Sequence, residues 1–220
     1  MYASSCQSTS NKYSSVTPYT ELFSKYGTSA VDISTVPSST LASLAASSTW
    51  YFASGAYVST GTADKTKIEA ASTSASASGF ASDYSYRLTQ GQKTDNILHL
   101  PVDGSCTVTV YWLNNGNSAR GLDVAATKGT FSDNTSTITK MTGNTSELTI
   151  ADSISTDKAR IAAIATGTAN SDKGYIVTTF KYTGTADELK LINSSAAATE
   201  TLKAGGGGIY IYAVDVAYGD

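Results

Sequence analysis

The chain has 220 residues, 40% of them hydrophobic, enough to bury a sizeable core in one domain. Only 15% are charged, against about a quarter in an average globular protein, and with a net charge of −3 and no Lys/Arg cluster there is no electrostatic footprint for nucleic acid. One histidine and two cysteines leave little for a zinc site or a Cys/His nucleophile, and no apolar run reaches the roughly 20 residues of a membrane-spanning helix.

Ser, Thr, Ala and Gly take the place of charge, and Tyr occurs 14 times. This is the profile expected of a secreted or cell-surface protein. Residues 1–48 are rich in Ser and Thr and read as an N-terminal extension to a main domain at 49–220. Within the extension a short helix is expected over 18–26, with Thr17 as cap and Pro18 at the first helical position, and one or two helical turns near 41–45. The first residues are too few and too polar for an intact signal peptide, so an export signal would have been removed. Cys6 follows Ala-Ser-Ser, a faint echo of a lipoprotein cleavage site without the apolar segment that precedes one. It also has Cys106 as a disulfide candidate, although Cys106 by itself reads as a small buried hydrophobe.

From Trp50 the character changes. Strand-like segments are expected at 50–52, 66–71, 84–88 and 96–102, with a Ser/Ala loop at 72–79. Asp103-Gly104 then reads as a hairpin turn into Cys106-Thr-Val-Thr-Val-Tyr-Trp-Leu113, which alternates cleanly. Asn114-Asn-Gly-Asn117 turns the chain towards a strand at 120–125. Short strands continue at 136–140, 147–150, 158–164, 174–182 and 188–192, and no long segment has a helical period.

The best strand is the last, Ile-Tyr-Ile-Tyr-Ala-Val-Asp-Val-Ala-Tyr at 209–218, entered through four glycines. β-Branched residues suit a pleated surface. Strict alternation puts Ile209, Ile211 and Ala213 on one face and Tyr210, Tyr212 and Val214 on the other. A strand this apolar belongs inside a sheet, so the fold class is all-β, a sandwich or barrel. One pattern recurs at unequal spacing: Thr60-Gly-Thr-Ala-Asp64, Thr166-Gly-Thr-Ala-Asn170 and Thr183-Gly-Thr-Ala-Asp187. It reads as a turn, with glycine at positive φ and Asp or Asn bonding its own backbone.

Taken in order, Trp50-Tyr-Phe52, Tyr86-Arg-Leu88, Gly104-Ser-Cys-Thr-Val-Thr-Val-Tyr111, Arg120-Gly-Leu-Asp-Val124, Tyr182-Thr-Gly-Thr185 and the closing strand resemble a known module. It is the galactose-binding-like, carbohydrate-binding β-sandwich appended to bacterial pectate lyases and other secreted proteins. The resemblance implies a jelly-roll sandwich without catalysis of its own, serving extracellular attachment to polysaccharide. Residues 1–48 depart from it.

Glycan binding needs an aromatic platform and polar groups for hydroxyls. Trp112, Tyr111 and Tyr84 are the aromatic candidates. Arg87 and Arg120 are cationic candidates, since a guanidinium grips a uronate carboxylate through two bonds. Adjacent strand residues cannot both face inward, so one of Tyr111 and Trp112 belongs to the core. His99 reads as structural. Asp187 and Glu188 with Asp123 make a poor hydrolytic set, because adjacent acids on a strand point to opposite faces. No cofactor is expected, and a structural calcium ion has its best candidates among the acids at 152–157. Asn134, Asn144 and Asn193 begin glycosylation triplets. A competing expectation is a self-assembling filament or surface-layer subunit, in which residues 1–48 of one copy add a strand to the next.

Overall fold

Two long strands run side by side through the middle of the molecule, β5 (Ile97–Asn114) and β10 (Tyr175–Ser194), antiparallel over nearly their whole length. The computed structural model describes residues 30–32, 57–59, 67–70, 86–90, 97–114, 119–139, 149–166, 175–194 and 208–219. The described part is all-β and antiparallel, with no helix among the described residues. The other strands are β1 (Ala30–Asp32), β2 (Tyr57–Ser59), β3 (Lys67–Ala70), β4 (Tyr86–Gln90), β6 (Arg120–Ala125), β7 (Gly129–Thr139), β8 (Thr149–Ile154), β9 (Arg160–Thr166) and β11 (Ile209–Tyr218).

Strand order is β1-β3-β4-β11-β5-β10-β6-β9-β8, with β2 on the start of β5 and β7 on the first half of β10. Each long strand therefore changes neighbour part-way. β5 passes from β2 to β11, and β10 from β7 to β6. β1, which lies within residues 1–48, pairs with β3 in this same sheet. The helical expectations at 18–26 and 41–45 lie outside the described residues.

Alternation builds the core. On β5, Leu98, Leu100, Val102, Cys106, Val108, Val110 and Trp112 all point inward. They meet Ile176, Phe180, Tyr182, Leu189 and Leu191 of β10, Leu122 and Val124 of β6, and Ile209, Ile211, Val214 and Val216 of β11. Phe131 stands edge-on to Phe180, with ring centroids 5.3 Å apart, an arrangement that aligns a positive ring edge with a negative face. The β6–β9 part of the sheet is buried on its other face too. Asp123, Ala162, Ile192 and Ser194 are each at most 1% exposed there.

Three expectations are corrected. Asp103-Gly104 is no hairpin, since β5 runs straight through it in register with Asp187, Thr185 and Tyr182 of β10. Neither residue has the positive φ that a tight hairpin turn requires. The two strands expected at 174–182 and 188–192 are one strand, interrupted by a register shift between Tyr182 and Thr185. Finally, β11 also carries a bulge, between Ile211 and Ala213 opposite Trp112 and Tyr111. An extra residue reverses the alternation, so Tyr212, Val214 and Val216 join the buried side instead of standing with Tyr210.

Candidate functional site

The residues picked from sequence for ligand binding go to different places. Trp112 is in the core, fully buried. Its indole Nε1 donates to Thr178 Oγ1 at 2.9 Å, Thr178 bonds Ser136 Oγ at 2.8 Å, and Ser136 donates to Asp152 Oδ1 at 2.7 Å. This hydroxyl chain satisfies the one polar atom of a buried indole and removes Trp112 from any surface platform. Tyr111, one residue earlier, faces the other way and is half-buried, packed against the edge of the core. Arg87 lies in β4, in backbone register with Glu69 of β3 and separated from β5 by β11. Tyr84 lies outside the described residues.

Arg120 opens β6 and is half-buried, with Nη1 donating to Gly208 O at 3.2 Å, just where the chain enters β11. Burial lowers its pKa from the usual guanidinium value, and the neighbouring Tyr210 phenol acts in the opposite direction. Tyr210, half-buried, sits opposite Leu113 on β11. Tyr111 is two residues before Leu113 on the same face, and therefore diagonal to Tyr210. One end of the sheet thus brings together a guanidinium and two tyrosines. Tyr210 was missed as a ligand candidate because the closing strand reads so strongly as core. No family model, no curated protein and no solved structure matches this chain.

A heavily bonded polar group lies elsewhere, at the β10 register shift. Asp187 is 8% exposed. Its Oδ2 accepts from the backbone N–H groups of Thr127 at 2.8 Å and Lys128 at 2.7 Å and from Tyr182 Oη at 3.3 Å. Its Oδ1 accepts from Thr127 Oγ1 at 2.6 Å and its neighbour Glu188 N at 2.8 Å. Burial alone would raise the pKa, but the donors from Thr127, Lys128 and Glu188 overcome it and hold the carboxyl down at about 2. The Thr183-Gly-Thr-Ala-Asp187 copy is therefore a bulge inside a strand, and its aspartate ties the β6–β7 connection to β10. Gly184 lets this happen: a Cβ there would meet Tyr182 Cζ at 2.7 Å and Gly129 Cα at 2.9 Å. The other two copies lie almost wholly outside the described residues.

Glu188, next along, goes to a different partner, accepting or sharing a proton with His99 Nδ1 at 2.7 Å. Asp123 of β6 bonds Arg160 of β9, both nine-tenths buried or more. Of the acids considered for calcium, Asp152 accepts from Ser136, and Asp157 caps its own turn through Ser155 Oγ and Ala159 N. Among the described residues no three His, Cys, Asp or Glu side chains gather as metal ligands. Two of the glycosylation triplets are closed in the folded chain. Asn193 is fully buried, and Asn134 Nδ2 donates to Ser153 O and Ala162 O. Cys106 is a free, buried thiol in the core, and Cys6 lies outside the described residues.

Proposed function

We propose that this chain is a non-catalytic, extracellular glycan-binding or adhesion module, built as a jelly-roll β-sandwich with residues 1–48 as an N-terminal extension. The observation that carries the binding reading is Arg120 beside Tyr210, with Tyr111 diagonal to it on the same face. Two phenol rings offer apolar faces and hydroxyls to a sugar, and a guanidinium favours an acidic sugar such as the uronate of pectin-type polysaccharide. The sandwich reading is supported by β7, whose Asn134 and Ser136 reach across to β8 and β9 through side-chain bonds without pairing with them as a strand.

A glycan array that includes pectin fragments tests this directly. Binding should fall at least tenfold in Arg120→Ala and in Tyr210→Ala, with an unchanged thermal transition as the folding control. An array without a single hit refutes the reading.

The alternative is a filament or surface-layer subunit, and one observation favours it. β8 stands last in the strand order, and Ile154 at its end is 38% exposed. A strand supplied by residues 1–48 of another copy would extend the sheet there. Light scattering that shows a monomer at high concentration excludes it.

A further inference from the structure

Asp123 and Arg160 are the most deeply buried oppositely charged pair among the described residues, 1% and 4% exposed. They join β6 to β9, and β9 carries β8 as its hairpin partner. Of the two Asp123 oxygens only Oδ2 is bonded by Arg160, and Oδ1 is buried without a hydrogen-bond partner. Ala162 of β9 and Ile192 of β10 stand directly beside the carboxyl in register, and both are apolar. The charged or titratable groups around the pair among the described residues include Arg160 on β9, Asp157 in the β8–β9 turn, whose carboxylate also interacts with Arg160, Lys190 and Glu188 on β10, and His99 on β5. Lys190 is one row away and His99 is opposite Lys190.

We propose that the Asp123–Arg160 pair makes the hold of the β8–β9 hairpin on β6 responsive to pH near neutrality, loosening as the pH rises. A carboxylate needs several donors to replace water, and here one oxygen has one donor and the other has none. Ionised Asp123 therefore gains by opening to solvent, whereas the neutral acid suits the apolar row and Arg160 then keeps the Asp157 carboxylate as a counter-charge. Burial pushes its pKa up to about 7, with Arg160 opposing and not prevailing. The sign follows: the folded form binds the proton more tightly than the unfolded chain, so stability falls as pH rises from about 4 to about 7 and levels above that.

The test is native-state hydrogen exchange of the β9 amides between pH 5 and 8, corrected for intrinsic rates. The opening constant should grow by up to about tenfold per pH unit as pH approaches 7. Asp123→Asn, which keeps the shape and removes the titration, should flatten that dependence and leave β9 at least as protected as wild type at pH 8. An unflattened profile in Asp123→Asn, or opening that falls as pH rises, overturns the proposal. If Asp123→Asn does not fold, carbon-13 NMR of the aspartate carboxyls in wild type decides the matter: one carboxyl titrating near pH 7 is expected, and all carboxyls ionised at pH 5 overturns it.

Discussion

Asp187→Ala removes the acceptor on which the β6–β7 connection rests. Five hydrogen bonds end on that carboxylate, from Thr127 N, Thr127 Oγ1, Lys128 N, Glu188 N and Tyr182 Oη. Bonds to a charged group contribute about 1.5–3 kcal/mol each when buried. Thr127 and Lys128 are exposed, however, so water replaces much of what their donors lose. Tyr182 is buried but also donates to Thr185 O at 2.9 Å, so it keeps a partner. The expected cost is about 2–4 kcal/mol, near the top of what single substitutions do. Urea unfolding at pH 7 reads it as a shift in midpoint at constant slope. Asp187→Asn keeps one acceptor and should lose about half as much. The carboxyl is depressed to about 2 from an ordinary 3.8. Its charge contribution is therefore complete above pH 4 and disappears as pH falls through 2, worth about 1–2 kcal/mol after solvent screening. A loss below about 1 kcal/mol for Asp187→Ala, or acid unfolding unchanged by it, refutes the view that this carboxylate fastens the connection.

Gly184→Ala drives a methyl into Tyr182 and towards Gly129 Cα, 2.9 Å away; differential scanning calorimetry should show a destabilisation of about 1–3 kcal/mol. Cys106 is 6% exposed, and burial raises its thiol pKa to about 11. In a Cys6→Ser background it should therefore resist a disulfide reagent at pH 8 and react only on unfolding, as followed by absorbance. Trp112→Phe leaves the Thr178–Ser136–Asp152 chain without its first donor and a gap in the core, so a loss of about 1–3 kcal/mol is expected from chemical denaturation.

What could be seen in advance follows from the range of each interaction. β11 and the second half of β5 were legible because alternation and β-branching are properties of neighbouring residues. Local alternation also required one of Tyr111 and Trp112 to be core, although only the partner strand decided that it was Trp112. The bulges were not legible. A single extra residue at Tyr212 or near Gly184 leaves no local mark, yet it reverses every side chain beyond it. Asp103-Gly104 misled for a related reason. Those two residues favour a hairpin, but β10 pairs on both sides of them and keeps the strand extended. For the site, Arg120 could be named from its charge, whereas Tyr210 needed the register that brings it beside Arg120. Asp123 and Arg160 are 37 positions apart, and nothing in either neighbourhood announces the other.

The position of β11 also governs how the molecule can come together. It is the last of the described strands in sequence, yet it lies between β4 and β5 in space. Until β11 has been translated, β1, β3 and β4 have no paired route into the rest of the described sheet, because the strand that joins them to it has not been made. Loop closures this long are slow. Until residue 218 has emerged, the early strands must wait with their edges open, and they join the sheet only once β11 has been made.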